Sequence, residues 1–392
     1  MRKSFLIIAL VLCWSWAIPL GAQQPCPGYS VVIGSPEDQM LLVIKNAENP
    51  QEQIAALDKF TQAHADSKFL PCAHEYYTVA YLKMNNYDKV IEHGEQALAA
   101  NYQDVFLMMN LTKAYVAGGK VSDTAFDVIL KAPEQIKTEA NPPRPTTVSD
   151  GDWQKNLEEL GTTAKNLRDY MAYAFFQLLP RVPDASKRLA LLDKFAQAFP
   201  DAATEHAKAI NYQRFQAYKL AGDMPKIVES GEKVVAEDPG NIEVLNLLAY
   251  IYGVNQRTNL DRAGEYAKKA LDLVTGMKKP EGVTDEQFAS SQKLQQGMAD
   301  LTLGYIDFQR AAKTRKVGPA LQELKAAVDL LGSSPELQAQ ALYYLGNAYE
   351  LMFPANHAAA IEALTRAADL QSSVQGLARD LLAKARKAAK TQ

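Results

Sequence analysis

A ten-residue stretch occurs nearly twice in this chain, 135 residues apart. Residues 57–66 read LDKFTQAHAD and residues 192–201 read LDKFAQAFPD, and seven of the ten positions are identical. A weaker match continues beyond each copy, where residues 79–104 align with residues 216–241. Internal repetition of amphipathic helical segments is typical of a solenoid, in which each unit buries its apolar face against its neighbours. The duplication therefore predicts a repeat architecture.

The composition of the chain and the residues at the predicted helix ends favour helices throughout. Hydrophobic residues make up 47% of the chain, with abundant Ala and Leu and few runs of Val, Ile and Thr. Pro36 and Pro50 stand where helical patterns begin, and polar turns such as Asn85-Asn86 and Gly118-Gly119 separate successive patterns. Among the longer stretches, residues 203–220, 241–252 and 285–314 each predict one helix. Short turns between helices imply antiparallel neighbours. We therefore predict an all-α fold, a right-handed α-solenoid of antiparallel helix pairs.

The N-terminus has the pattern of a secretory signal. Residues 1–3 are Met-Arg-Lys, residues 4–18 are apolar, and residues 20–22 are Leu-Gly-Ala before Gln23. A basic start, an apolar stretch and small residues at a cleavage point are the parts of a signal peptide. We expect a mature chain that begins near Gln23 and is periplasmic or secreted. The alternative is an uncleaved membrane anchor, although the apolar run is short for a spanning helix.

Two cysteines, Cys26 and Cys72, remain after such a cleavage. In an oxidising compartment an even pair favours a disulfide, which in the chain-entropy model stabilises the fold by up to ~4 kcal/mol. The alternative is two unpaired thiols, and the sequence leaves both open.

One irregular segment interrupts the helical rhythm. Residues 138–152 (TEANPPRPTTVSDGD) contain three prolines and no apolar period, which indicates an exposed loop. With the signal, this loop divides the chain into six predicted parts: 1–22 signal peptide; 23–49 leader and first helix; 50–137 helix pairs; 138–152 loop; 153–372 helix pairs; and 373–392 capping helix.

Small and aromatic residues recur at fixed places in the pairs. The clearest unit, residues 341–368, combines Leu345, Gly346 and Tyr349 in its first helix with Ala360, Leu364 and Ala367 in its second. The scheme recurs around Leu303-Gly304 and around Leu248-Ala249 with Tyr252, while Tyr81, Tyr115 and Tyr218 stand at the place of Tyr349. A small residue in mid helix lets the partner helix cross closely, and the aromatic ring fills the remaining gap.

These pairs resemble tetratricopeptide repeats, whose unit is a helix–turn–helix of about 34 residues. The resemblance covers roughly residues 50–390, about five or six repeats, and implies a scaffold that binds protein partners. The chain departs from the pattern where Thr78 and Phe215 occupy small-residue places and where Gly94 and Gly231 replace a large residue. The duplicated segment is also similar to the first helices of bacterial envelope repeat proteins that help assemble outer-membrane components.

The sequence contains no recognisable catalytic or metal-binding motif. None of the five histidines forms HExxH, no CxxC or GxSxG occurs, and the Gly118-Gly119 pair ends a helix instead of holding a phosphate. His74 and His93 lie on the two helices of one pair and are expected to approach each other, but two histidines alone make a poor zinc site. We predict no cofactor, no metal and no catalysis. With a net charge of −3, a nucleic-acid partner is not expected.

A candidate partner-binding groove follows from the helical period. Side chains on the inner face of successive first helices change from Lys, Asn and Gln to Tyr along the chain. They are Lys83, Asn110, Lys113, Gln213, Gln216, Lys219, Asn246, Tyr250, Tyr305, Gln309, Tyr343 and Asn347. Amides and ammonium groups bind peptide backbone and carboxylates, and Tyr supplies rigid contact area. The alternative is a solvated face whose tyrosines pack between helices.

The predicted function is a non-catalytic scaffold of the bacterial periplasm or cell envelope that binds a protein or peptide and assists the assembly of envelope complexes. Two alternatives stay open: binding of a glycan or small solute through the Tyr-rich half, and service as the non-catalytic subunit of an envelope enzyme. A membrane association is expected only if the signal stays as an anchor.

Overall fold

All regular secondary structure in the described part of the chain is helical. A computed structural model describes residues 32–390 except Gln103 and Arg315, and these residues form eighteen α-helices with no strand. The signal, residues 1–22, and the first part of the leader lie outside the described residues. The predicted all-α fold is confirmed. No helix within the described ranges is both long and apolar enough to span a bilayer.

The helices fall into two compact units, which we call the N-terminal unit (described residues up to Asp223) and the C-terminal unit (described residues from Met224). Side-chain caps begin many N-terminal helices; Asn49, Asp104 and Ser122 each accept a bond from the backbone N–H three residues later. This unit contains α1 Pro36–Lys45, α2 Pro50–Ala63, α3 Leu70–Lys83, α4 Tyr87–Ala99, α5 Val105–Gly118, α6 Asp123–Glu139, α7 Asp150–Leu178, α8 Ala185–Ala198, α9 Pro200–Glu205 and α10 Ala207–Ala221.

The C-terminal unit repeats the arrangement with eight helices in the part that the structure describes. A short π-helix, Ile251–Asn255, extends the second of them. The helices are α11 Met224–Glu237, α12 Ile242–Tyr250, α13 Leu260–Thr275, α14 Asp285–Thr314, α15 Gly318–Leu330, α16 Pro335–Glu350, α17 His357–Asp369 and α18 Gln375–Ala388.

Packing is sequential within each unit, as in a solenoid. Most helices contact the next along the chain, for example α3 with α4, α14 with α15 and α16 with α17. The first helices of successive pairs, which we call A helices (α3, α5 and α7; α12, α14 and α16), also contact one another. The second helices (α4 and α6; α13, α15 and α17) we call B helices. Side chains on one face of the A helices therefore share a surface within each unit.

Glycines mark the closest crossings. A Cβ added to Gly346 on α16 would lie 2.5 Å from Leu364 Cγ, and one added to Gly304 on α14 would lie 2.7 Å from Leu324 Cγ. These contacts confirm the steric role expected of small residues in A helices. Gly94, which departs from the repeat pattern, has the same explanation, because Leu111 fills its side-chain space.

Three helix boundaries differ from the sequence prediction. The irregular segment spans 140–149 instead of 138–152, because α6 continues to Glu139 and the hydroxyl of Ser149 caps α7 from Asp150. A single helix expected over 203–220 is divided at His206 into α9 and α10. The helix expected over 241–252 continues as the π-helix.

Candidate functional site

The inner face of the A helices in the N-terminal unit is partly open. Lys83 on α3 is exposed, whereas Lys113 on α5 is half-buried. Asn110, also on α5, is only 6% exposed, and its amide donates to the Thr78 hydroxyl at 3.4 Å. Asn110 was predicted to line the groove; it belongs instead to the packed interface between α3 and α5, because its side chain points toward the neighbouring A helix.

The remaining predicted groove residues of this unit lie on α10. Gln213 and Gln216 are half-buried and Lys219 is exposed. Gln216 and Lys219 both take part in polar or ionic contacts. That Gln213, Gln216 and Lys219 contact a bound partner stays a prediction.

Lys113 is the least compensated of these groups. Its flanking residues Thr112 and Ala114 are fully buried, and the Thr112 hydroxyl reaches the Met171 sulfur on α7 at 3.4 Å. Burial lowers the pKa of the Lys113 ammonium, and no carboxylate offsets that effect. Among the described residues Lys113 forms no ion pair. A half-buried cation without a counter-ion gains more from an incoming acceptor than a fully hydrated one does.

The inner face of the C-terminal unit is largely filled by its own side chains. The Tyr250 hydroxyl on α12 donates to Gln340 Oε1 on α16 at 2.8 Å, and the Gln340 amide donates to Glu336 Oε1 at 2.8 Å. Gln340 is buried. Burial raises the pKa of the Tyr250 hydroxyl. Tyr250 therefore joins α12 to α16 and does not stand free in a groove.

Tyr305 is a core side chain. It is 0% exposed, packs edge-on against Tyr344 with ring centroids 4.7 Å apart, and lies under the guanidinium of Arg257, 5.8 Å from its ring centroid. Its buried hydroxyl has no hydrogen-bond partner among the residues that the structure describes. Tyr305 was predicted to line the groove, but its side chain is buried in the core, because the helical period identifies the inward side of α14 and not what covers it.

The other predicted residues of this unit are also engaged or covered. Asn246 is 1% exposed and donates to the backbone and side chain of Gln295, so this predicted groove residue is also packed within the unit. Asn347 donates to the Tyr343 carbonyl one turn earlier. Gln309 and Tyr343 are half-buried. The Tyr-rich half therefore offers no row of open rings to a glycan.

His74 and His93 meet as expected from their helices. Their Nδ1 atoms lie 3.1 Å apart, and the His93 ring stacks on Tyr77 with centroids 4.1 Å apart. Burial lowers the pKa of both imidazoles, that of His93 to about 4 with a further contribution from His74. Within the described ranges no group of three or more His, Cys, Asp or Glu side chains is placed to hold a metal.

Sequence reasoning missed a buried acidic cluster in the N-terminal unit. Glu75 is 4% exposed, and the Tyr102 hydroxyl is within 2.6 Å of Glu75 Oε2 and 2.8 Å of Asp104 Oδ2. Burial, with Asp104 next in importance, raises the pKa of Glu75 to about 8. The available signal was the helical period, which puts Glu75 on the same face of α3 as the buried Thr78.

Cys72 lies in the core formed by α1, α2 and α3 and carries a disulfide bond. Cys26 lies outside the described residues, so the pairing of Cys26 with Cys72 stays a prediction.

The turn after the π-helix was also not predicted. The N–H groups of Gln256 and Thr258 bond the carbonyls of Ile251 and Tyr252 at 2.8 and 3.2 Å, and Arg257 between them has φ 57°. Gly253 in the π-helix lies close to Thr302 on α14. No local sequence signal marks this geometry, because an arginine is not a residue expected at positive φ.

Comparisons with known proteins find similarity at the level of the fold. No protein-family model and no curated protein matches this chain. Solved structures do. The C-terminal part of a TPR repeat-containing protein from Cytophaga hutchinsonii is 13% identical with a TM-score of 0.40, covering 78% of this chain and 99% of that one. Yeast Tom70 is 11% identical with a TM-score of 0.33, covering 94% and 68%. No conclusion about the partners of this chain follows from similarity at this level.

Proposed function

We propose that this chain is a non-catalytic scaffold that binds a segment of another protein along the inner face of the A helices in its N-terminal unit. The observation that carries the proposal is Lys113, a half-buried ammonium with no carboxylate partner among the described residues. Lys83 adds an exposed cation on α3. The occupant is a peptide segment whose carbonyl or carboxylate oxygens accept from these groups.

Rigidity supports this use of the surface. Lys113 stands on a helix whose adjoining residues are locked into the core, so its backbone loses little freedom when a partner docks. A scaffold that does not reorganise loses less entropy on binding than a mobile loop does. The packed helix pairs provide such a scaffold.

We further propose that the scaffold works in the bacterial periplasm or outside the cell. The support is the sequence of residues 1–22, with its basic start, apolar stretch and Leu-Gly-Ala end. N-terminal sequencing of the exported protein tests this part, and a mature start near Gln23 is expected. Recovery of an intact Met1 in the membrane fraction would favour an anchor.

The binding proposal is tested with Lys113→Met and the matched control Lys59→Met. Lys59 is an exposed lysine on α2, so both variants lose one positive charge and only one alters the inner face. Wild type and both variants are immobilised, and proteins retained from envelope extract are identified and their affinities measured. We expect Lys59→Met to retain the wild-type set and Lys113→Met to lose affinity for it about tenfold or more, the scale of a hydrogen bond to a charged group. Equal binding by all three proteins would refute the role of this face.

A further inference from the structure

Arg257 occupies a backbone position where glycine is the usual residue. The bond from Thr258 N–H to the Tyr252 carbonyl spans the end of the π-helix, and Arg257 inside that turn has φ 57°. A helix end closed in this way needs one residue in the left-handed region, which a side chain disfavours and glycine does not. Glycine at this position would cost the fold less free energy than arginine does. In addition, π-helical turns often accompany functional sites.

The side chain of Arg257 is held in place but its charge is not neutralised. Its guanidinium lies over the ring of Tyr305, 5.8 Å from the centroid, and near Tyr344. Arg257 itself is exposed, and no carboxylate in the described ranges pairs with it. The nearby Asp261 pairs instead with Arg310 at 3.1 Å.

The platform under Arg257 is rigid. Tyr305 is wholly buried against Tyr344, and Phe308 lies 6.3 Å from the Tyr344 ring centroid. Tyr305 also keeps a buried hydroxyl without a partner at this place. A guanidinium attracted to an aromatic face by a cation–π contact keeps N–H donors at its edge for an incoming acceptor.

We infer that Arg257 receives the carboxylate of an aspartate or glutamate side chain from the bound protein. The fork of guanidinium donors matches a carboxylate in shape and charge, so the pair can form two parallel N–H···O bonds. This inference rests on the proposed function, since the occupant is a protein segment. It adds a second docking point, in the C-terminal unit, that is chemically independent of Lys113.

The test uses the full mature chain and peptides of known sequence. A library of twelve-residue peptides is selected on the immobilised protein, and the tightest peptides are remade with each Asp or Glu replaced by Asn or Gln. Affinities are measured for wild type, Arg257→Gly, Arg257→Lys, Lys113→Met and the control Arg366→Gln, which removes an exposed arginine on α17. Arg257→Gly relieves the backbone at positive φ, so its thermal unfolding should match or exceed that of wild type.

We expect at least one selected peptide to lose about tenfold in affinity when one acidic residue becomes an amide, and to lose the same against Arg257→Gly. The two changes together should cost no more than either alone, because they remove one contact. Arg257→Lys should recover part of the loss, and Arg366→Gln should bind as wild type.

Two outcomes separate this inference from the proposed function. If the peptides bind Arg257→Gly as well as wild type but lose affinity for Lys113→Met, the carboxylate site is refuted and the scaffold function stands. If no library peptide binds wild type, both are refuted.

Discussion

The same place in the repeat is used differently in the two units. Lys113 stands two residues before Tyr115, just as Tyr250 stands two residues before Tyr252. In the C-terminal unit Tyr250 bonds Gln340 within the chain, whereas in the N-terminal unit Lys113 is half-buried and lacks a counter-ion. One repeat position can therefore serve either cohesion between A helices or recognition, and only the surrounding contacts decide which.

Buried polar groups show the opposite contrast. In the N-terminal unit the Tyr115 hydroxyl donates to Glu95 Oε1 at 2.6 Å and Tyr102 bridges Glu75 and Asp104. All four buried side-chain atoms without a hydrogen-bond partner in the described residues belong to the C-terminal unit: Asn246 Oδ1, Tyr305 Oη, Glu323 Oε2 and Ser372 Oγ. An unpaired buried polar atom costs free energy. The C-terminal unit, whose inner face is largely filled by its own side chains, thus contains the buried polar atoms that lack a hydrogen bond among the described residues.

The largest effect is expected at the closest helix crossing of the C-terminal unit. Gly346→Leu puts a side chain where Leu364 already lies, since even a Cβ would be 2.5 Å from Leu364 Cγ. We expect a loss of about 3 kcal/mol in local stability. Hydrogen exchange should show α16 and α17 losing protection while the N-terminal unit keeps it, because repeats couple mainly to their neighbours.

A matched glycine change checks that prediction. Gly161 lies inside α7, and a Cβ added there would meet nothing within 4 Å. Gly161→Ala should therefore stabilise α7 by roughly 0.5–1 kcal/mol through helix propensity. If Gly346→Leu and Gly161→Ala changed stability in the same direction and by the same amount, the distance between crossing helices would not determine which glycines tolerate a side chain.

The second prediction concerns the buried carboxyls of the C-terminal unit. Burial raises the pKa of Asp300 to about 6 and that of Glu323 to about 7, the latter also through Asp307. Both groups hold a proton in the fold at a pH where the unfolded chain has released it. Stability is therefore fully present near pH 4 and falls as the pH rises to about 7. Asp300→Asn should reduce this slope in protection factors of α14, and an unchanged slope would contradict the assignment.

The N-terminal unit should respond to pH in the opposite direction around His93. Its folded pKa of about 4 lies below the ordinary value of 6.5, so the unfolded chain binds the proton first. Stability falls as the pH drops from about 6.5 to 4, because burial beside His74 keeps the folded imidazole neutral while the unfolded chain takes up a proton. His93→Gln should flatten this loss in α3 and α4, by on the order of 1 kcal/mol. Glu75, whose pKa burial raises from 4.5 to about 8, acts in the opposite direction between those pH values. Glu75 is the same in wild type and in His93→Gln, so the difference between the two proteins isolates the histidine.

Local sequence signals predicted most of the fold. The helix expected over 285–314 is α14 with the same ends, and the starts at Pro36 and Pro50 are those of α1 and α2. Caps, turns and helical period are properties of neighbouring residues, so they are readable in one sequence. The π-helix is not, because its geometry depends on how Gly253 meets Thr302 on α14.

The site was only half predictable for the same reason. Period put Lys113, Tyr250 and Tyr305 on the inward side of their helices, but exposure depends on residues far away in sequence. Tyr250 bonds Gln340, ninety positions along the chain, and Tyr305 is covered by Arg257 and Tyr344. A single sequence does not show such pairings.

The smallest and most discriminating prediction compares two buried tyrosines. Tyr115 and Tyr305 are 1% and 0% exposed, so removing either hydroxyl changes the exposed surface area little. The two differ in hydrogen bonding: the Tyr115 hydroxyl donates to Glu95, whereas the Tyr305 hydroxyl has no partner among the described residues. Tyr115→Phe should destabilise the N-terminal unit by about 1 kcal/mol, since it leaves Glu95 without its donor. Tyr305→Phe should be neutral or stabilising, because it removes a buried polar atom that nothing satisfies. Protection factors of α5 and α14 measure both effects in intact protein. If Tyr305→Phe destabilises α14 as much as Tyr115→Phe destabilises α5, the Tyr305 hydroxyl has a partner after all, and the contrast between a satisfied and an unsatisfied interior is lost.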